Sequence, residues 1–270
     1  MSIRQYRPRG TNRRGLTSRQ NIILYSLLGL AIGSQISYPL LHGESLRIAT
    51  QAIVYLAAAT VLVHARFSYG AKYSSLYFLI TFTYSLIVEQ FGSRTGWPFG
   101  EYSYSPTLGF AIAGVPLVVP FAWIMMVHPI LIVARKLSKS WVFLVGGAGL
   151  MAWDLFLDPQ MVSAHRWSWK IIGPNVPFES NIPLTNTVGW LLTGMALIAI
   201  LHRLLPKERR KVGASAIAME IYLVWILFAG VIGNIFFFDT PGVALIGAIP
   251  MLALLLPYFY LAHLGRPDQF

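Results

Sequence analysis

The chain has 270 residues, of which 56% are hydrophobic and 11% charged, whereas about a quarter of the residues in a soluble domain are charged. This composition excludes an ordinary soluble protein, and the absence of cysteine excludes disulfides, thiolate catalysis and cysteine-ligated metals. The net charge of +11 is concentrated in the N-terminal tail and in Arg203–Lys211, both beside apolar stretches. Such clusters are typical of topology signals and anionic-lipid contacts, so we predict a lipid bilayer and no nucleic acid as partner.

The N-terminal tail is rich in arginine and lacks acidic residues, as a transit peptide would. The apolar stretch that follows it is long enough to span a bilayer, and no small-residue cleavage site comes after it. We therefore interpret this stretch as a retained first helix, preceded by a basic cytoplasmic tail over residues 1–20.

Eight segments reach the roughly 20 apolar residues that a helix needs to cross a bilayer. In chain order they are Asn21–Leu41, Arg47–Ala65, Tyr73–Phe91, Phe110–Ala134, Trp141–Leu157, Pro183–Leu204, Ala214–Phe238 and Val243–His263. The sequence thus predicts an all-α polytopic integral membrane protein, with one transmembrane helical domain over residues 21–270. Two connections, Gly92–Gly109 and Asp158–Ile182, are long and rich in Gly, Pro, Trp and Tyr.

The distribution of positive charge predicts the orientation. With eight spans, all but four of the 21 lysines and arginines fall on the side that carries both termini. Cytoplasmic loops retain positive charge, so both termini are predicted to be cytoplasmic, in a multi-pass protein of the cell membrane. Seven of the ten acidic residues then map at or near the opposite side: Glu44, Glu89, Glu101, Asp154, Asp158, Glu179 and Asp239.

Glu89 lies near the end of the third predicted span. A carboxylate within a span costs several kcal/mol unless it faces a polar cavity or is neutralised, which favours a functional role. The alternative is a salt bridge to Arg94. The Gly and Pro residues that follow predict a folded re-entrant loop, on which Glu101 is expected to be solvated.

Asp154 and Asp158 lie at the end of the fifth predicted span. Their i, i+4 spacing places both carboxyl groups on one helix face, where one is expected to hold a proton because two neighbouring carboxylates do not both ionise easily. A neutral acid beside an ionised one suits general acid and base catalysis. The structural alternative is that Asp158 ends the helix before Pro159 and Asp154 bonds a neighbouring helix.

Polar and aromatic residues at the same side complete the candidate site. Asn186 and Thr185 open the sixth span, either as helix caps or as part of the site. Five of the eight tryptophans also map to this side, as an interfacial belt or as a pocket whose ring faces stabilise a cation: Trp97, Trp153, Trp167, Trp169 and Trp190. The histidines show no metal-binding spacing, and no nucleotide fingerprint or nucleophile elbow is present.

Three motifs together resemble the membrane carotenoid hydratase family of the CruF type. They are GxxTGxPFGxYxY over Gly92–Tyr104, AWDLFLDPxM over Ala152–Met161 with a following WxW over Trp167–Trp169, and IPLxNxxGW over Ile182–Trp190. The resemblance covers about a hundred central residues. It implies addition of water to the terminal C=C of an acyclic carotenoid end group, giving a tertiary 1-hydroxy (or 1'-hydroxy) end without a cofactor.

The resemblance also implies a carotenoid substrate and contacts with other carotenoid enzymes. Haloarchaeal relatives act on a longer C50 chain, but this basic chain lacks a halophile's acidic surface, which favours a C40 substrate like lycopene or γ-carotene. Hydration protonates the alkene to a tertiary cation that water captures. We assign Asp154 or Asp158 as the acid, the other as the water partner, and Glu89 as the second candidate. The expected substrate-binding residues are Trp97, Phe99, Tyr102, Tyr104, Trp153, Trp167, Trp169, Asn186 and Trp190, with no metal.

Two other functions remain open at this point. Asp154 and Asp158 resemble half of the paired aspartate motifs with which intramembrane prenyltransferases hold a diphosphate and Mg²⁺, but no second aspartate cluster is present. A small transporter would use buried acids and broken helices, and Pro116, Pro120 and Pro129 interrupt the fourth predicted span.

Overall fold

The computed structural model describes residues 15–206 and 215–264. Within these ranges the chain folds into eight α-helices: α1 Ser18–Ser37, α2 Gly43–Tyr69, α3 Ala71–Thr95, α4 Val118–Leu137, α5 Val142–Ser163, α6 Leu184–Leu204, α7 Ile217–Phe236 and α8 Pro241–Phe259. Short 3₁₀ turns cover Tyr38–Leu40 and Pro106–Leu108, and a π-helical turn, Tyr260–Leu264, follows α8. Most of the predicted basic tail and of the second basic cluster lies outside the described residues.

Three two-stranded antiparallel ribbons lie in the connections between helices. Strand β1 (Tyr102–Tyr104) pairs with β4 (Trp167–Trp169), β2 (Ala111–Ile112) with β3 (Val115–Pro116), and β5 (Asn175–Val176) with β6 (Glu179–Pro183). The first ribbon ties the connection after α3 to the connection after α5. The two long connections predicted from the sequence are therefore joined at one end of the bundle.

The predicted all-α membrane fold is confirmed. Each of the eight predicted spans corresponds to one helix, and seven of the eight helices are long and apolar enough to cross a membrane. The remaining helix, α3, has 25 residues and so extends over about 37 Å at 1.5 Å per residue. Its composition is less apolar because tyrosine, serine, threonine and Glu89 occupy one of its faces.

Helix α3 is polar towards the protein and apolar on its exposed side. The side chains of Tyr73, Tyr77, Thr81, Ser85 and Glu89 recur at intervals of four residues and are all buried. Large apolar side chains on the outer face are exposed, namely Leu79, Ile87 and Phe91. A helix with this inverted pattern matches a lipid environment outside and a polar interior within the bundle.

The limits of all eight helices differ from the predicted spans by at least one residue, and the largest differences are at the start of α4 and the end of α5. Helix α4 begins at Val118 rather than at Phe110, because Ala113 and Gly114 both have positive φ and form the tight turn between β2 and β3. Pro116 is therefore in a strand and Pro120 in the first helical turn, which leaves Pro129 as the interior proline. Helix α5 continues through Pro159 to Ser163, since Asp158, Pro159 and Met161 are buried against the rest of the bundle.

Glycines bring α5 and α6 into close contact. A Cβ added at Gly147 would lie 2.5 Å from Met195 Cγ, and one added at Gly194 would lie 3.2 Å from the Gly147 Cα. Small residues at a helix interface let two membrane helices approach closely. This contact places the first turn of α6 directly against the last turns of α5, which is where the candidate site lies.

Candidate active site

A cavity of about 450 Å³ lies at the end of the bundle where α3 and α5 end and α6 begins. Its walls are mostly apolar and aromatic, and Glu89, Asp158 and Asn186 are among its few polar lining groups. The tryptophans among its lining residues are Trp123, Trp153, Trp167, Trp169, Trp190 and Trp225. Pockets of this size with a few convergent polar groups are the usual sites for small apolar ligands.

The ribbon formed by β1 and β4 supplies one wall of the cavity. Tyr102 pairs with Trp169 and Tyr104 with Trp167, while Ser103 and Ser168 form the intervening pair. Side chains alternate between the two faces of a strand, so all four aromatic rings lie on one face and line the cavity. The Tyr102 and Trp169 ring centroids are 5.9 Å apart, and those of Tyr104 and Trp167 are 6.0 Å apart.

Three hydrogen-bond donors hold the Glu89 carboxylate. The hydroxyls of Tyr102 and Tyr104 each donate to Oε2 at 2.6 Å, and Trp123 Nε1 donates to Oε1 at 2.8 Å. The proposed alternative partner, Arg94, is exposed instead. Three donors to one buried carboxylate stabilise its charged form.

The two tyrosines remain neutral donors in this arrangement. Burial raises the pKa of the Tyr102 hydroxyl and that of the Tyr104 hydroxyl, and the neighbouring charge of Glu89 raises both pKa values further. Since both hydroxyls keep their protons, each can continue to donate to Glu89. The ribbon therefore presents a fixed pair of O–H groups beside the cavity.

Asn186 bridges the two aspartates of α5. Its Nδ2 donates to Asp154 Oδ2 at 3.1 Å and to Asp158 Oδ2 at 2.5 Å, and Trp167 Nε1 donates to Asp158 Oδ1 at 3.2 Å. All three side chains of the Asp–Asn–Asp group are buried. Asn186 is therefore not a helix cap, since α6 has Pro183 at its N-cap and no side-chain cap.

The two aspartates differ in their access to the cavity. Asp158 lines the cavity, whereas Asp154 lies behind it, one helical turn deeper in α5. The Oδ1 atom of Asp154 is buried and has no hydrogen-bond partner among the described residues. Two carboxyl groups this close together in a water-poor interior do not both carry full charge, so the pair is arranged to share one proton.

Most of the predicted substrate-binding residues line this one cavity: Phe99, Tyr102, Tyr104, Trp153, Trp167, Trp169, Asn186 and Trp190. Trp97 does not line it, because its side chain is 64% exposed and its ring packs edge-on against Phe91. Glu101 lies at the surface and pairs with Lys170 at 3.2 Å.

Trp123 belongs to the candidate site, although it is not among the residues predicted from the sequence. It is buried in α4, stacks on Trp190 with ring centroids 4.4 Å apart, and donates to Glu89. The signal was its position inside a span, since a buried indole N–H needs a partner, whereas tryptophans of an interfacial belt lie near helix ends.

We expect Gly189→Ala to displace Phe99 and so disturb the aromatic lining of the cavity. A Cβ at this position would lie 2.6 Å from Phe99 Cδ1 and 3.0 Å from the Pro98 carbonyl oxygen. Such overpacking costs about 1–3 kcal/mol, and Phe99 would have to move, disturbing its contacts with Tyr102 and Trp190. Thermal unfolding in detergent should show the loss of stability. Gly29→Ala, where an added Cβ meets nothing within 4 Å, is the matched control and should unfold like the wild type.

The fold and the cavity define a multi-pass membrane protein with buried acidic side chains beside a mostly apolar cavity. Residues 49–260 match the model of the family described as carotenoid biosynthesis protein, and the chain belongs to that family. It is also 32% identical over 124 residues to the bisanhydrobacterioruberin hydratase of Haloarcula japonica. That match covers 43% of this chain and 41% of the relative. No solved structure matches the chain.

Proposed function

We propose that this protein hydrates the terminal C=C of an acyclic carotenoid end group, giving a tertiary 1-hydroxy (or 1'-hydroxy) end. The observation that carries the proposal is one aromatic cavity lined by Asp158, which Asn186 bridges to Asp154, and by the triply hydrogen-bonded Glu89. Membership of a carotenoid biosynthesis family and similarity to a hydratase support it.

In the first step, Asp158 donates a proton to the alkene. The O–H bond of the neutral carboxyl group breaks, and a C–H bond forms at C2, the less substituted alkene carbon. This leaves a tertiary cation at C1. Asp158 is the better placed of the two aspartates to donate a proton to the substrate, because it lines the cavity, whereas Asp154 lies behind it. Asp154 acts by keeping the shared proton available, and Asn186 holds the two groups together.

In the second step, Glu89 stabilises the cation and accepts a proton from the attacking water. The negative charge of Glu89 and the ring faces of the tryptophans stabilise the cation at C1. Water forms the C1–O bond and loses a proton to Glu89. Return of that proton to the aspartate pair restores both groups, so one alkene and one water give one alcohol with no redox change. This is general acid and base catalysis by separate carboxyl groups.

The same features support the proposed substrate and the proposed location. A lycopene- or γ-carotene-like C40 chain dissolves in the bilayer, and its end group reaches a cavity at one end of the helix bundle. The cell membrane is the proposed location, with the cavity towards the non-cytoplasmic side. The charge distribution of the loops supports that orientation.

Expression in a lycopene-producing host tests the proposal. Mass analysis of extracted pigments should show the gain of one water for each reacted end, and an Asp158→Asn culture should show none. The gain of a C5 unit would point to a prenyltransferase instead. Unchanged pigment beside abundant, correctly inserted protein would contradict the proposed function for this substrate.

A further inference from the structure

The cavity opens sideways between α1 and α7. Most of its lining residues are buried or half-buried, but three large apolar ones are exposed: Ile36 by 57%, Phe228 by 53% and Phe237 by 52%. Ile36 belongs to α1, Phe228 to α7, and Phe237 directly follows α7. The opening therefore faces the apolar surface that these helices present to lipid.

A polar pair lies across this opening. Trp225 Nε1 of α7 donates a hydrogen bond to Gln35 Oε1 of α1, and both residues line the cavity. A glutamine inside an apolar span is unfavourable without a partner, so the bond fixes α1 against α7 at this level. Trp225 marks the point where the cavity meets a second depression.

The second depression is a shallow, mostly apolar groove along α7. It shares Trp225 and Phe228 with the cavity and continues along α7 towards Ile217, with Ile32 and Phe259 at its sides. Glu220 lies near its far end, where Tyr258 and His263 bond its carboxylate. From Gly233 to Ile217 the path covers about 24 Å at 1.5 Å per residue.

A linear carotenoid is about as long as a bilayer is thick, about 30 Å, so a cavity at one end of the bundle does not enclose it. We propose that the rest of the polyene chain leaves the cavity between α1 and α7, past Gln35 and Trp225, and lies along the groove of α7. This inference rests on the proposed function. It makes Gln35, Trp225 and Phe228 determinants of specificity that select an extended polyene chain beyond the reacting end.

Photo-crosslinking tests the path without requiring turnover. A photoreactive phenylalanine analogue placed at Val224, in the groove, should form an adduct with lycopene after illumination. The same analogue at Ile249, which is equally a membrane-facing position but on α8 and outside both depressions, should form little or none. Equal adducts at both positions, or none at Val224, would overturn the proposal.

A blocking variant tests the same path through the reaction. Ala229 lines the cavity one turn beyond Trp225, so Ala229→Phe should narrow the opening and lower lycopene conversion about 10-fold or more. The matched change Leu245→Phe, at an exposed position of α8, should leave conversion unchanged. Full activity of Ala229→Phe would contradict the path. Adducts at Val224 in a wild-type protein that hydrates nothing would instead refute the proposed function and leave the path standing.

Discussion

Asp158→Asn is expected to lower carotenoid hydration by about 1,000-fold, which is within the range for loss of a general acid. The amide has nearly the same shape as the carboxyl group but supplies no acidic proton. It must also turn one N–H towards a donor, since Asn186 and Trp167 both donate to Asp158. Hydration should therefore be measured per unit of correctly inserted protein, as pigment converted over time.

Asp154→Asn is the matched control for this prediction. Because Asp154 Oδ1 has no partner among the described residues, an amide nitrogen fits there while the remaining oxygen still accepts from Asn186. Asp154 also lies outside the cavity lining, so we expect a smaller loss of about 10- to 50-fold. A larger loss for Asp154→Asn than for Asp158→Asn would exchange the two assigned roles.

Glu89→Gln is expected to lower hydration by about 100-fold or more, as for other losses of electrostatic stabilisation in a dry site. The change removes the charge and little else. The glutamine oxygen can accept from Trp123, and the amide nitrogen can donate to the hydroxyls of Tyr102 and Tyr104, which accept as well as donate. The rate of hydration and the melting temperature should be measured together.

Trp123→Phe separates the charge of Glu89 from its hydrogen bonds. It removes one donor to the carboxylate but keeps the charge and most of the stacking on Trp190. The loss of one such bond is worth about 1–2 kcal/mol, so we expect roughly a 10-fold fall in rate. Suppose that Glu89→Gln hydrated as fast as the wild type while Trp123→Phe did not. The charge of Glu89 would then have no part in the reaction, and Glu89 would only hold the aromatic side chains that line the cavity.

The helices could be predicted from the sequence because a membrane span is a long, mostly apolar segment that is recognisable from length and composition alone. Their limits were less accessible, since they depend on turns and on tertiary packing. Ala113 and Gly114 turn a β-ribbon where the apolar pattern continued the fourth span. Pro159 stays within α5 because its neighbours are buried, although proline more often ends a helix.

The acidic residues of the candidate site could be predicted from the sequence, whereas the arrangement of the aromatic residues around them could not. A polar or charged side chain inside or at the end of a membrane span is energetically costly and often functional. This made four residues identifiable as candidates: Glu89, Asp154, Asp158 and Asn186. The Tyr-x-Tyr and Trp-x-Trp patterns are strand-like, with a period of two, but nothing local reveals that β1 pairs with β4. Trp97 stands within the same motif as Phe99, and only the three-dimensional fold separates an exposed ring from a buried one.

Isotope labelling measures the central claim, that a carboxyl proton and a water molecule add across one double bond. Membranes containing the protein and lycopene, incubated in D₂O enriched in oxygen-18, should yield a carotenoid with one deuterium at C2 and oxygen-18 in the tertiary hydroxyl. The deuterium at C2 should survive washing in ordinary water, whereas that on the hydroxyl exchanges. A hydroxyl oxygen derived from O₂, or a product with no deuterium at C2, would contradict the account.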